Sequence, residues 1–295
     1  MRTEIVATAR TLPGRVSRVA RERLGSALRD RVAGPDAAER AARIWGTPGE
    51  RWFSATDPVW RVHEEASMFP GGIAALLLQS LHPQAMAGVA GHSGYRGDPW
   101  GRLQRTSTYL ATTTYGTVED AQQAIAVVRA VHERVRGRDD QGVPYRASDP
   151  DLLRWVHVAE AWSFLRAHQL YAASQLTPQE ADLYVAQAAV PARLLGAERL
   201  PTTVAELDAA LLGYRPVLRA TPAAVDAARF LLREPPLPLA ARPGYAMLAA
   251  GALAILPPWA ARMLDLPASA GLVRSGACLA GRAGSGAVRW GMAGV

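Results

Sequence analysis

The stretch Thr117-Val-Glu-Asp-Ala-Gln-Gln-Ala-Ile125-Ala-Val-Val128-Arg-Ala-Val-His132-Glu-Arg-Val135 decides the fold class. Thr117 is an N-cap type whose hydroxyl accepts from an orphan N–H of the first turn, and Glu119 and Asp120 follow where the helix dipole favours acids. Ile125, Val128, His132 and Val135 then recur at three and four, the spacing of one helical face. Related start signals return at Asp149-Pro150-Asp151, Thr177-Pro178-Gln179-Glu180, Thr203-Val-Ala-Glu206 and Thr221-Pro222, and the second and third of these read as capping boxes. A further apolar series, Val156, Ala159, Trp162 and Phe164, follows Asp149. Alternating strand patterns and Asn-Gly or Asp-Gly turns are absent. The pattern predicts an all-α, single globular domain of about ten helices.

Composition narrows the class further. A chain of 295 residues, 49% hydrophobic and 20% charged, is an ordinary globular protein, long enough to bury a core without disulfides or a structural metal. The lone Cys278 forms no internal bridge, and the lack of any C-x-x-C pair excludes zinc ribbons, thioredoxin chemistry and covalent haem attachment. Together with the lack of an apolar signal region, this predicts a cytoplasmic location. Tyr245 to Leu256 is uncharged but only twelve residues long before Pro257 and Pro258, which suits a buried helix better than a membrane span.

The net charge of +7 resides at the two ends. Residues 1–31 carry eight Arg against three acids, and residues 262–295 four Arg against Asp265, so the body between is nearly neutral. That placement argues against a nucleic-acid partner. The expected organisation is a basic arm or amphipathic helix at 1–31, a helical domain at 32–267 and a Gly/Ala-rich tail or helix at 268–295. The arm is either solvated or makes a peripheral contact with an anionic membrane. Pro235-Pro236-Leu-Pro238 reads as a turn within one domain, and a homo-oligomer stays open.

Metal motifs borne on helices fail. His63 and His132 lack the second His of H-E-x-x-H, and the residues three after Glu64, Glu65, Glu133 and Glu160 are Ser67, Met68, Arg136 and Ser163, so no Glu-x-x-His exists at these sites. A helix expected from Pro99 to Tyr115 stacks Arg102, Thr106, Tyr109 and Thr113 on one face, which is either a solvated face or the wall of a site. His132 should point inward and either bond a backbone carbonyl or act as a ligand. His157 lies similarly in Trp155-Val-His157, with Glu160 at i+3 able to satisfy its ring. One cofactor asks a helical protein for a single imidazole, namely haem, though periodicity does not choose between a haem pocket and a plain core.

The ordered run Gly71-Gly-Ile-Ala-Ala-Leu-Leu-Leu-Gln79-Ser-Leu-His82-Pro83, His92-Ser93, Asp98-Pro99, Arg102-x-x-Arg105-Thr106, His132-x-x-Val135-x-Gly137 and Tyr145-x-Ala147-x-Asp149-Pro150-x-x-x-x-Trp155-Val-His157 resembles the MpaB-type oxygenases and the latex clearing proteins, which are rubber oxygenases. The resemblance implies an all-helical domain with non-covalent b-type haem and an oxidoreductase that uses dioxygen or peroxide on a small or medium hydrophobic, isoprenoid-like substrate. It implies His132 as axial ligand to the iron, with His157 as the alternative, and Tyr109 and Trp155 beside the cofactor. It implies Arg102, Arg105 and Thr106 as the catalytic group. Arg105 stands where the rubber oxygenase has a lysine able to reach iron, and the region before Arg102 lacks that enzyme's catalytic glutamate, which speaks against identical chemistry on rubber. A haem sensor or carrier without turnover is the rival reading.

Overall fold

The computed structural model describes residues 36–92, 96–267 and 271–293, with residues 21, 25, 26, 31, 32 and 34 of the preceding segment. The basic arm anticipated at 1–31 therefore lies almost wholly outside the described residues. The chain is all-α, with thirteen helices and one small hairpin among the described residues. In chain order these are α1 (Ala37–Gly46), α2 (Pro58–Glu64), α3 (Met68–Ser80), α4 (Pro83–His92), α5 (Pro99–Tyr115), α6 (Val118–Arg134), α7 (Pro150–Tyr171) and α8 (Pro178–Leu195). There follow α9 (Val204–Gly213), α10 (Pro222–Arg233), α11 (Arg242–Ile255), α12 (Pro258–Met263) and α13 (Leu272–Met292). Strands β1 (Arg136–Arg138) and β2 (Pro144–Arg146) form the hairpin between α6 and α7.

The caps act as their chemistry requires. Thr117, Thr177, Thr203 and Thr221 each accept from the backbone N–H three residues on, and Asp149 accepts from Asp151 and Leu152. Thr177 and Glu180 complete the reciprocal box, whereas the Glu206 carboxylate turns to the backbone of Thr202, so the expected box at Thr203 is only half made. The helix count exceeds ten, and several helices, among them the short α2 and α12 of seven and six residues, start without any side-chain cap that a capping count could find. The hairpin also escaped the sequence pattern. Its turn uses Asp139, whose side chain accepts from the N–H groups of Gln141 and Val143 at 2.9 Å, and Gly142, at φ 80°, supplies the left-handed residue.

Helix α7 is the central element, with fourteen of its 22 residues buried. It lies along α3, and Gly71 lets the two backbones approach, since a Cβ there would stand 3.0 Å from the Phe164 ring and 3.1 Å from Ala167. The polar tips of its aromatic residues are each satisfied by a different neighbour. Trp155 donates to the Gln79 carbonyl at 3.3 Å, Trp162 to Asp208 at 2.7 Å and Tyr171 to the Gly251 carbonyl at 2.8 Å. A second layer, α11 and α13, closes over α3 and α7, so the segment after Pro235 belongs to the same domain.

The α11–α13 contact is built on glycine. A Cβ on Gly281 would meet the Gly251 Cα at 2.7 Å and the Tyr171 ring at 2.8 Å, whereas one on Gly286 of the same helix would meet nothing within 4 Å. Gly281→Ala is therefore expected to destabilise by roughly 1–3 kcal/mol through overpacking. Gly286→Ala should stabilise by about 0.5–1 kcal/mol through helix propensity alone. Urea unfolding of the two variants checks the opposite signs.

Candidate functional site

Two buried helices carry accessible stripes on facing sides. On α3, Gly72, Leu76 and Gln79 keep accessible surface at i, i+4 and i+7 while the rest of its second half is buried. On α7, Val156 is 37% exposed and Glu160 is half-buried in the middle of the core helix. The stripes adjoin, since the Gln79 side chain donates to the Val156 carbonyl at 3.2 Å and Gly72 faces the Phe164 ring. Helices α5, α6, α8 and α7 follow one another around a ring in which α5 and α7 are not packed together. His63 of α2 closes one end of the gap, with its ring edge-on to Phe164 and Tyr184 and Nδ1 bonded to the Thr114 hydroxyl at 2.8 Å. We take the space between the α3–α7 pair and the α5–α6 pair, across which Glu160 and Tyr109 face each other, as the candidate site and call it the hollow.

The inner wall contributed by α6 is its sole inward stripe. Ala121 and Ile125 are buried, Val128 and His132 are half-buried, and most other positions along the helix are exposed. The His132 side chain makes no hydrogen bond among the described residues, and its Nδ1 is enclosed without a partner there. His157 is buried on α7 with Nε2 likewise unpartnered. Neither the carbonyl expected for His132 nor the Glu160 contact expected for His157 is made. Burial disfavours the imidazolium at both, holding His132 below its ordinary value and His157 down to about 4. At neutral pH each ring is therefore neutral and has a lone pair to offer.

Glu160 is the chemically unusual group. It has no hydrogen-bond or ion-pair partner among the described residues, and burial pushes its carboxyl up to about 7. Burial, and next the Glu160 charge, raises the phenols of Tyr109 on α5 and Tyr184 on α8, and the Tyr184 hydroxyl is enclosed without a partner. The signal of Glu160 in the sequence is that it is the only carboxylate between Asp151 and Glu180, on a helix that is otherwise largely apolar.

The remaining predicted residues are distributed unequally. Tyr109 is half-buried and faces Glu160's charge. Arg102 is half-buried, and Thr106 is exposed and donates back to the Arg102 carbonyl at 3.0 Å. Arg105 is exposed and paired with Asp98 at 3.1 Å, the residue that caps α5. Trp155 lies on the far side of α7, fully buried, its ring 5.0 Å from that of Tyr214 and 6.2 Å from His82. It packs the core. No group of three or more His, Cys, Asp or Glu able to hold a bare metal ion occurs among the described residues.

Glu160 sets a pH signature. Its folded pKa, about 7, lies above the ordinary 4.5, so between those values the unfolded chain has released a proton that the folded chain retains, and stability falls as pH rises through that window. Glu160→Gln should remove this slope. The variant is expected to match wild type near pH 4 and to exceed it above pH 7 by up to roughly 3 kcal/mol in urea unfolding.

Compared with known proteins, the chain matches no curated protein and no solved structure. It does match the family described as ER-bound oxygenase mpaB/B'/Rubber oxygenase, catalytic domain, over residues 60–290. That span runs from α2 into the last turn of α13 and includes every helix around the hollow. Membership decides for an enzyme over a carrier. This chain belongs to the mpaB/rubber oxygenase catalytic-domain family and is an enzyme of the oxygenase class.

Proposed function

We propose that the chain is a b-type haem-dependent oxygenase acting on a small or medium hydrophobic molecule, with isoprenoids the first class to test. The observation behind this reading is that His132 and His157, both held neutral by burial, each keep a ring nitrogen that no group among the described residues satisfies, as His82 and His168 also do. Buried polar atoms without partners are rare in native folds and point to a group that completes them. Haem fits, because the porphyrin brings four nitrogens and needs one imidazole, which agrees with the lack of a multi-residue metal cluster among the described residues. His132 would hold the iron and His157 is the alternative ligand. When bound, haem supplies the iron at which dioxygen or peroxide is activated.

The chain's own residues have separable tasks. Leu76 and Val156 present apolar surface that favours a hydrophobic substrate. Glu160, protonated for about half of its population near pH 7, holds an exchangeable proton on the α7 wall, and Tyr109 faces it with a hydroxyl that stays protonated. Arg102, Arg105 and Thr106 stand toward the outer part of the α5 face, where two guanidinium groups and a hydroxyl suit the carboxylates of a haem edge or a polar end of the substrate. Because Arg105 cannot donate a lone pair, it takes no place on the iron.

His132→Ala is expected to lose haem while keeping its helical circular dichroism, and His157→Ala to retain haem. The reverse pattern transfers the axial role to His157, and retention by both variants and by the double variant would contradict the proposal. Thr106→Val should keep the absorption spectrum and lower oxygen-dependent substrate consumption by roughly 10-fold or more.

A further inference from the structure

Three oxidisable rings meet where α1, α2 and α5 come together. The Trp45 and Tyr115 rings stack at 5.3 Å with 26° between their planes, and Trp60 stands edge-on to Tyr115 at 4.7 Å. Trp45 is 51% exposed, Tyr115 is buried and Trp60 is half-buried. One turn along α2 from Trp60 stands His63, edge-on to Phe164 at 5.6 Å and to Tyr184 at 6.1 Å, and bonded to Thr114, the chain neighbour of Tyr115. Aromatic rings therefore lead from the water to the end of the hollow. The group formed by Trp155, Tyr214 and His82 has no such outer end, since all three are buried.

A single cation fixes the outer part of this series. Arg51 donates to the carbonyls of Ile44 at 3.0 Å, Trp45 at 3.2 Å and Thr47 at 2.8 Å, and to that of Tyr115 as well. The end of α1 is thereby clamped to the end of α5, beneath the two stacked rings. Burial, and next the charge of the exposed Glu64, raises the Tyr115 phenol, which stays protonated while it is reduced. Indole and phenol give up one electron only to a strong oxidant, and electron transfer weakens steeply with distance. Rings in contact thus pass oxidising equivalents outward from a site and do not bring low-potential electrons into it.

We propose that Trp60, Tyr115 and Trp45 form a relay for one-electron oxidation from the hollow to the surface, and that Trp45 is a second reaction site, at which water-soluble phenols are oxidised without entering the hollow. The source of the oxidising equivalents rests on the haem reading above, with hydrogen peroxide as the oxidant. Peroxide takes up two electrons and two protons and leaves as two waters. Two phenol molecules at Trp45 supply them, each losing one electron and its O–H proton and leaving as a phenoxyl radical. Within the relay, Tyr115 passes one electron inward and releases its proton toward Glu64, and it recovers both when Trp45 reduces it. Packing alone would be served by phenylalanine at positions 45 and 115, and this separates the relay from a structural stack.

Pulse radiolysis of the full chain in azide solution tests the relay without calling on haem. The azidyl radical takes one electron from an exposed indole and becomes azide. In wild type the indolyl absorption is expected to decay as phenoxyl absorption grows, at a rate independent of protein concentration. Trp45→Phe and Tyr115→Phe should each lose this phase while keeping the helical circular dichroism, and a phase of unchanged amplitude in both would overturn the proposal. With the haem-loaded protein, peroxide and a nitroso spin trap, peptide mass spectrometry should find the adduct at Trp45 and lose it in Tyr115→Phe. Trp45→Phe should lose phenol oxidation with its absorption spectrum and its turnover of hydrophobic substrate unchanged. An adduct at Trp45 that persists in Tyr115→Phe, or phenol oxidation undiminished in Trp45→Phe, would contradict the second site. A chain that takes up no haem would fail the haem reading and the second site with it, and the azidyl phase would still decide the relay.

Discussion

The close packing of α3 against α7 is the constraint on which the rest depends. Gly71 lets the α3 backbone come down onto Phe164 and Ala167, and this pins α7, which has fourteen of its 22 residues buried. Enclosure fixes the chemistry of whatever polar groups that helix carries. His157 and Glu160 sit on its remaining face, and burial drives both toward their neutral forms, the imidazole by losing its proton and the carboxyl by keeping it. A helix interior that tolerates two such groups without partners has given up stability for a site, because unsatisfied polar atoms in a core are costly.

Much of the architecture was legible because it is encoded locally. Thr117, Asp149, Thr177 and Thr221 cap helices through side-chain contacts spanning two or three residues, and the Pro99–Tyr115 helix begins and ends where Asp98 and Gly116 place it. The hairpin was not legible, since it depends on an Asp139 side-chain turn instead of an Asn-Gly or Asp-Gly dipeptide. The short helices α2 and α12 lack a capping side chain and are held by the elements around them.

The site divides along the same line. His132 could be placed on an inward stripe by spacing alone, and it lies there. Which side of α7 faces the hollow could not be read, because Trp155 and His157 both belong to a helix buried almost all round and only the neighbours of each face distinguish them. Trp155 faces Gln79 and Tyr214. Glu160, Tyr109 and Tyr184 come together from three helices, α7, α5 and α8, and no local pattern announces such a meeting. Family membership supplies the oxygenase class, and the unpartnered imidazoles are what support the proposal of haem.

The most direct test of the account is the absorption spectrum of the unaltered protein purified from haem-replete cells, with a pyridine haemochrome assay for haem type. The account predicts a Soret band, a b-type haemochrome and close to one haem per chain, extractable with acidified acetone because no cysteine pair attaches it. A folded, helical protein that stays colourless after incubation with haem would contradict it.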